Sequence, residues 1–380
     1  MRQPRPKIRV LHLISTLDVG GAEQNLLRLA SSMDAGLFEN HVACMTRPGP
    51  LARSLELAGI PVHFLNMEKG VPEPRAILRL RFTASLMRPD LVQCWMYHAN
   101  LLGLSLLDPK RTLWNIRCSD MDLSLYGGVY RFAVKAGALL SGLPSAVVVN
   151  SQAGRDVHAA LGYRPRRWTV IPNGFDTAVF RPDPEARARI RAELGIPGKA
   201  FTVGLVCRYD PMKDHETFFL AAEKLLRLCP DARFVLAGRG VTRDNPSLRK
   251  ILPDSRAFHL LGERSDIPAV CASLDVATSS SAWGEGLPNA VGEAMASGLP
   301  CAVTDAGDSA ALVGETGVVV PKADPSALCA AWERLHDAGA DRRKALGEKA
   351  RKRILEHYSL SAMVERYQSL YLSLTEDRGS

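Results

Sequence analysis

Two carboxylates, Glu285 and Glu293, stand eight positions apart in SSAWGEGLPNAVGEAMASG, which runs from Ser280 to Gly298. DVATSSS before them reads as a strand, and AWGEG as the loop that leaves it. Pro288 suits a first helical turn, where its missing N–H costs nothing. Gly298 followed by Pro300 marks the helix end. Glu285 therefore stands ahead of the helix and Glu293 about one and a half turns inside it. The unpaired N–H groups of that first turn suit a phosphate. With a phosphate there, a carboxylate on either side could accept hydrogen bonds from hydroxyls. A sugar nucleotide has that layout: sugar hydroxyls, diphosphate, ribose hydroxyls.

A second segment, GLVCRYDPMKDHETF (204–218), places Arg208 and Lys213 just past a strand, with Asp214 set to cap the next helix. Two cations and a helix N-terminus at a strand's carboxyl end make a seat for a diphosphate. In DVGGAEQNLL (18–27), Gly20 and Gly21 let the backbone come close to a ligand at the start of a helix. This is not G-x-G-x-x-G, and no acid follows the second strand in a ribose-binding position, so a dinucleotide site is not expected. SDMD (119–122) holds a D-x-D pair, Asp120 and Asp122, at positions that also suit helix capping. No metal site is expected: Arg208 and Lys213 can neutralise the charge that a metal would.

The elements that must position these residues come from the apolar pattern. In the first half, IRVLHLIS, NHVACMT, IPVHFL, DLVQCW, TLWNIR, SAVVVN and WTVIP read as strands. Helix-period segments over 22–33, 50–58, 73–88, 98–107, 124–141 and 153–162 lie between them. The pattern lapses over 173–198, rich in Pro, Gly and charge with one short helix inside. It restarts with FTVGLVC and a helix at 214–229, then RFVLAG, AFHLLG, DVATSS, PCAVTD and GVVVP. Helices over 325–337, 341–357 and 360–374 end the chain. Short apolar runs alternating with longer periodic ones indicate βαβ units and mostly parallel sheets. We expect an α/β chain of two doubly wound, Rossmann-like domains facing a central cleft, with C-terminal helices. The expected bounds are 1–180, 181–360, and a last segment, 361–380, crossing back to the first domain. Ligands of such sheets bind at the carboxyl ends of strands, in the strand-to-helix loops.

The chain has 380 residues and a net charge of +8. The first 195 residues carry 25 Lys+Arg against 16 Asp+Glu, and the remainder 23 against 24, so the excess is confined to the first half. That asymmetry suggests an anionic partner there. PEPRAILRLRFTASLMRPD (72–90) is the clearest basic helix, with Arg75, Arg79, Arg81 and Arg88 among Ile77, Leu78, Leu80, Phe82, Leu86 and Met87. One reading lays it peripherally on an anionic membrane; the plainer one buries its apolar face on the sheet. Nucleic acid is not expected, because aromatics are few and not interleaved with basic residues. No apolar segment approaches the roughly 20 residues of a membrane span, and the N-terminus reads as a first strand, not a signal peptide. The eight cysteines are scattered without metal-ligand spacing and read as reduced core residues of a cytosolic protein.

The E-x7-E pair in this setting resembles the signature of the retaining GT-B glycosyltransferases of the family 4 type. GGAE, WMYHANLLG (95–103), VVVNS (147–151), VIPNGFDTAVFRP (170–182), CRYDPMKD, FVLAGRG (234–240), LLGERSDIP (260–268) and EGLPNAVGEAMASGLPCAVTD (285–305) agree in order, spanning nearly the whole chain. The resemblance implies transfer of a sugar from a nucleoside diphosphate sugar to a hydroxyl of a glycan or lipid-linked acceptor, with retention and without a metal or other cofactor. Glu293 would hold the donor's ribose and Glu285 the transferred sugar. Amides around Gly286, Leu287, Pro288 and Asn289 would hold the sugar and distal phosphate. Arg208 and Lys213 match the diphosphate-binding pair, and His98 the histidine that faces the sugar. Gly20 and Gly21 would approach the diphosphate and acceptor. The segment around Gly262 would line the base pocket through its backbone, and Asn173 and Gly174 would fall at the hinge. Many relatives carry G-D-G where this chain has Gly238-Arg239-Gly240, which makes that loop more basic. A GT-B epimerase or phosphorylase, or a non-catalytic sugar-nucleotide-binding scaffold, remain the alternatives, although a scaffold need not keep the leaving-group cations.

Overall fold

The computed structural model describes residues 6–68, 73–106, 108–119 and 123–376. The chain divides into two compact units: one is the chain up to Gly174 together with the segment from Leu360 onward, the other Phe175–Ser359. The sequence places this boundary at 180/181 and the return at 360/361.

The first unit contains a seven-stranded parallel sheet. Its strands are β1 (Ile8–Ile14), β2 (Phe38–Cys44), β3 (Val62–Phe64), β4 (Leu91–Trp95), β5 (Thr112–Ile116), β6 (Ala146–Val149) and β7 (Trp168–Val170). They lie in the order β3-β2-β1-β4-β5-β6-β7. Strands covered on both faces read as continuous apolar runs, as AVVV of β6 does. The helices are α1 (Gly21–Ser32), α2 (Pro50–Leu57), α3 (Pro74–Met87), α4 (Met96–Gly103), α5 (Gly128–Leu140) and α6 (Gln152–Ala160). Leu26 and Leu29 of α1 and Leu51 and Leu55 of α2 share a core with one sheet face. Leu80 of α3, Tyr97 and Ala99 of α4, and Ala133 and Val134 of α5 share the core of the other face. Right-handed crossovers require that distribution, since the connections before and after β4 run in the direction opposite to those of β1 to β3. Helix α4 begins directly after β4, two residues earlier than the pattern suggests, because Met96 turns the chain at φ 69°.

The second unit contains a six-stranded parallel sheet of β8 (Thr202–Val206), β9 (Arg233–Ala237), β10 (Phe258–Leu260), β11 (Val276–Ser279), β12 (Cys301–Thr304) and β13 (Gly317–Val320). Its order is β10-β9-β8-β11-β12-β13. Helices α7 (Pro184–Glu193), α8 (His215–Leu228), α9 (Pro246–Arg249), α10 (Ile267–Ala272), α11 (Asn289–Ala296), α12 (Ser309–Val313), α13 (Pro325–Asp337) and α14 (Gly339–His357) cover it. Phe218, Phe234 and Trp332 pack edge-on or tilted in one core. The strand order reverses at β8 and β11, which makes the carboxyl ends of these two strands the switch point where open α/β sheets bind ligands.

Helix α15 (Leu360–Glu376) belongs to the first unit and adds Met363, Tyr367, Leu370 and Tyr371 to the core on the α1 side. Its two tyrosines match buried amides of the sheet. Tyr367 accepts from Asn115 Nδ2 at 2.8 Å, and Tyr371 donates to Gln93 Oε1 at 3.2 Å. The buried Arg117 guanidinium donates to Tyr367, Asn115 and Asn173 and stands 5.4 Å over the Trp95 ring. In the second unit, Phe175 N donates to Tyr358 O at 2.9 Å, next to a bridge between Phe175 and Ser359.

Candidate functional site

The loops after β8 and β11 are joined directly. Ala282 N donates to Met212 O and Ser280 Oγ to Lys213 O, both at 2.8 Å. Asp214, at φ 46°, accepts from Thr217 N and so caps α8 as its sequence position suggests. This left-handed residue turns the chain between Lys213 and the helix, where strain is tolerated because the loop contacts fix it. Lys213 reaches Glu285, 72 positions away, and donates to its Oε1.

Glu285 is 7% exposed. Ser281 Oγ donates to the same Oε1 at 2.6 Å, so one carboxylate oxygen serves a cation and a hydroxyl together. Burial pushes the Glu285 carboxyl up, but the Lys213 charge and hydrogen bond, the Ser281 hydroxyl and the Arg208 charge outweigh it and hold it below the usual carboxylate value. Lys213 has the mirrored balance: burial lowers it, the Glu285 carboxylate more than compensates, and the net direction is up. Both groups are therefore charged at neutral pH. Arg208 is more open, at 42% side-chain exposure, and its Nε and Nη2 chelate Asp210 Oδ2 at 3.1 and 2.8 Å.

Beyond Glu285 the chain passes through buried Gly286, Leu287 and Pro288 to half-buried Asn289, the first residue of α11. Pro288 stands one position ahead of the helix, at φ −71° and ψ 117°, where it ends the extended loop. Gly307, at φ 57°, lies against Glu285 O and Gly286 O, where a Cβ would collide, and Asp308 N donates to Gly286 O at 2.9 Å. The helix start is thus held from behind by the β12 loop. Glu293 lies half-buried on α11, close enough to raise the Cys271 thiol along with burial. Gly262, at φ 66°, follows β10 and exchanges backbone hydrogen bonds with the neighbouring loop, through Gly238 N at 2.7 Å and Val241 O at 3.0 Å. Tyr209 N donates to Arg239 O at 2.8 Å, so the basic G-R-G turn adjoins the Arg208 loop.

The structure therefore brings Arg208, Lys213, Glu285 and the start of α11 together at the switch point of the second unit. Gly20, Gly21 and His98 belong to the first unit. Gly20 precedes α1, and the Glu23 side chain folds over it, where a Cβ at Gly20 would collide. A carboxylate at that helix N-terminus places an anion of the chain's own beside the glycines. His98 on α4 is half-buried, with its ring 6.0 Å from Tyr130, and burial lowers its pKa, so it is a neutral imidazole near pH 7. Behind it, His158 Nδ1 donates to Gly154 O at 2.7 Å, which leaves Nε2 to accept from Tyr97 Oη at 2.6 Å. Asp120 and Asp122 lie outside the described residues. Among the described residues no group of three or more His, Cys, Asp or Glu is placed to hold a metal ion. Sequence reasoning missed Ser281 and Asp210. The serine run TSSS ahead of the loop was a signal for the first, and the R-x-D spacing for the second.

Residues 19–179 match the family model Glycosyltransferase Family 4, and residues 200–338 the model Glycosyl transferases group 1. Among curated proteins, the chain is 27% identical over 220 residues to UDP-Gal:alpha-D-GlcNAc-diphosphoundecaprenol alpha-1,3-galactosyltransferase of Escherichia coli, covering 56% of each chain. It thus spans little more than half the length of that relative. It is 29% identical over 317 residues to EpsF of Bacillus subtilis, covering 78% of this chain and 79% of that one. Among solved structures, Anabaena Alr3699/HepE in complex with UDP-glucose superposes with a TM-score of 0.80 at 21% identity, over 96% of this chain and all of that one. That likeness concerns the fold, GT-B with its two Rossmann-like halves.

Proposed function

The chain belongs to the group 1, family 4 glycosyltransferases, and on that premise we propose that it moves a sugar from a nucleoside diphosphate sugar to a hydroxyl of a glycan or lipid-linked acceptor, with retention of configuration. The observation that carries this is the buried Glu285 carboxylate, kept ionised by Lys213 and Ser281 beside the N-terminus of α11. A buried carboxylate held ionised at a helix start accepts hydrogen bonds from sugar hydroxyls, while the helix N–H groups accommodate the diphosphate. An ammonium has three donors. Lys213 therefore holds Glu285 with one and turns the others to the leaving diphosphate, with Arg208 of the same loop as the second cation. The C–O bond to the diphosphate breaks, the positive charge developing on the sugar is shielded by Glu285, and the acceptor hydroxyl attacks the face the diphosphate leaves. The diphosphate oxygen takes up the acceptor's proton. Gly286, Leu287, Pro288 and Asn289 shape the sugar and phosphate seat, Glu293 holds the ribose, and Gly262 borders the base. For Gly20, Gly21 and the neutral His98 of the first unit, roles towards donor and sugar are carried by the family resemblance alone.

Two cations do the work of a divalent metal here, so chelation by EDTA leaves turnover unchanged. None of the eight cysteines, all of them described, forms a disulfide, which supports residence where thiols stay reduced, on the cytoplasmic side. No helix among the described residues is long and apolar enough to cross a membrane. Peripheral contact with an anionic membrane is proposed through α3. Ala76 and Leu80 face the core, whereas Leu78, Phe82 and Leu86 form an exposed stripe with Arg75 one turn ahead of it and Arg81 beside it. The apolar residues of this helix thus divide between both readings that the sequence allows.

The test is a thermal-shift screen of UDP-, GDP- and ADP-sugars, followed by product analysis with labelled donor, with and without acceptor. A ligand at 100 times its dissociation constant stabilises by about 2.7 kcal/mol. Label appearing in the acceptor, lost by several orders of magnitude in Glu285→Ala, supports the reading. Near-normal transfer by that variant refutes the role of Glu285, and an epimerised donor without acceptor refutes the transfer.

A further inference from the structure

A thiol, an imidazole and a carboxylate meet at the end of α8 that lies away from the sugar-nucleotide seat. Asp214 opens α8 beside Lys213 and Cys229 closes it, so about 20 Å of helix separates the two places. His336 and Asp337 end α13, which packs on α8: Phe218 and Leu225 share a core with Leu328, Trp332 and Leu335. Cys229 Sγ lies 3.5 Å from His336 Nε2, and His336 Nδ1 lies 2.9 Å from Asp337 Oδ1. An ionised carboxylate only accepts hydrogen bonds, so Nδ1 carries the hydrogen and Nε2 turns its lone pair to the thiol. Nucleophile, base and orienting acid thus stand in line. The Phe201 ring backs His336 edge-on at 5.1 Å. Arg343 of α14 lies 5.0 Å over that ring and donates to His336 O at 3.0 Å. Arg233 folds back on the loop after Cys229 and donates to Ala232 O at 2.8 Å, with the exposed Asp231 as the acid of that loop. Side-chain exposures of 40% for His336 and 67% for Asp337 open the group to a small molecule.

The other thiols lack this arrangement. Five of the eight cysteines are buried, and only Cys118, Cys207 and Cys229 are partly exposed. Cys118 Sγ bonds Tyr97 Oη at 3.0 Å, and burial pushes its thiol up to about 11. Cys207 Sγ lies 3.7 Å from His215 Nε2, but His215 Nδ1 meets no partner among the described residues, and burial pushes this thiol up to about 12. We propose that Cys229 is a thiolation site, activated by His336 and Asp337 toward a low-molecular-weight disulfide that carries carboxylates. His336 Nε2 takes the proton from Sγ as Sγ attacks one sulfur of the reagent. The reagent's S–S bond breaks, a mixed disulfide forms on Cys229, and the departing thiolate recovers the proton from His336. Cys229 is oxidised, half of the reagent is reduced to a thiol, and attack by a second thiol reverses the exchange. Arg233 and Arg343 give the reagent's carboxylates cationic neighbours. No sugar nucleotide takes part, so the inference is independent of the transfer reaction.

The experiment incubates the full chain with glutathione disulfide at neutral pH and maps adducts against time by peptide mass spectrometry. One adduct reversed by dithiothreitol is expected, at Cys229. It should form roughly tenfold or more faster than at Cys118 or Cys207, and faster than at Cys229 in the urea-unfolded chain. His336→Gln and Asp337→Asn alter solvent-open side chains, so both variants should melt like the parent, and each should slow the adduct roughly tenfold or more. Uncharged hydroxyethyl disulfide, with each reagent scaled to its rate on free cysteine, should react more slowly than glutathione disulfide at low salt and equally at high salt. Adducts that form as fast at Cys118 or Cys207, or at a parental rate in His336→Gln, would overturn the proposal, because the thiol–imidazole contact would then do no more than tie α8 to α13. A glutathione rate that ignores salt and matches the uncharged reagent would overturn the choice of an anionic disulfide.

Discussion

Replacing Lys213 by methionine keeps the length of the side chain and removes its charge, leaving Glu285 in a site that is 7% exposed. The loss follows by two routes. Breaking a buried ion pair by removing one partner costs about 3–5 kcal/mol, because the other charge is left uncompensated. Alternatively the carboxyl takes up a proton. For a group of ordinary pKa about 4.3, neutralisation at pH 7 costs about 3.7 kcal/mol, at 1.36 per pH unit. The two agree on about 4 kcal/mol, which for a unit of this size lowers the melting temperature by roughly 8–16 °C. The pH dependence gives the sign. In the parent, Glu285 is depressed, so its contribution to stability is present above the unfolded value and lost only as pH falls through the folded one. Without Lys213 the burial effect dominates and raises the folded value. Stability is then retained below about pH 4.3 and lost as pH rises through the raised pKa, so the deficit grows from pH 5 to pH 8. Thermal melts of parent and variant across that range measure it. The double variant Lys213→Met, Glu285→Leu should recover most of the loss at pH 8. A deficit independent of pH, or a double variant no better than the single one, would refute a charged pair held by mutual compensation.

Three further outcomes follow from neighbouring contacts. Ser281→Ala removes one donor from Glu285 Oε1, so the acid limb of the pH–activity profile moves to higher pH, and Ser281→Thr restores it; an unmoved limb rejects the contact. Glu293→Gln, having lost a charged acceptor for a hydroxyl, should raise the donor KM about tenfold or more with kcat little changed, whereas an equal fall in kcat would place Glu293 at the reacting centre. A Cβ on Gly292 would fall inside the buried Phe175 ring, so Gly292→Ala should cost about 1–3 kcal/mol in urea unfolding, and an unchanged midpoint would contradict that packing.

Much of the fold is legible because parallel strands buried on both faces leave unmistakable runs, such as TVGLV of β8 and CAVT of β12. The phosphate seat is legible for a similar reason: Pro288, Asn289 and Gly298 punctuate α11 locally. What stays hidden depends on contacts between residues distant in the chain. Lys213 and Glu285 can be named separately from their motifs, but their direct bond exists because β8 and β11 are neighbours in the sheet. Ser281 is one serine of three until the fold turns its hydroxyl onto Oε1. In α3, apolar residues surround the helix, so the pattern cannot tell that Leu80 enters the core while Leu78 and Phe82 remain outside. Glu23 lying over Gly20 is equally invisible in GGAE, since the spacing suits a bound anion and the chain's own carboxylate alike.

The docking of α15 bears on the order in which the protein matures during synthesis. Phe175–Ser359 is one unbroken segment, and its chain ends meet where Phe175 N bonds Tyr358 O. It can close its core as soon as α14 has left the ribosome. The first unit, although translated earlier, lacks Met363, Tyr367 and Tyr371 until α15 emerges, and until then the amides of Asn115 and Gln93 wait without their tyrosine partners. On these contacts the first unit completes its core last, against the usual N-terminal-first order. The half made first spends the whole synthesis of the other with one sheet face partly bare, and is the part that a chaperone would hold and a protease would cut.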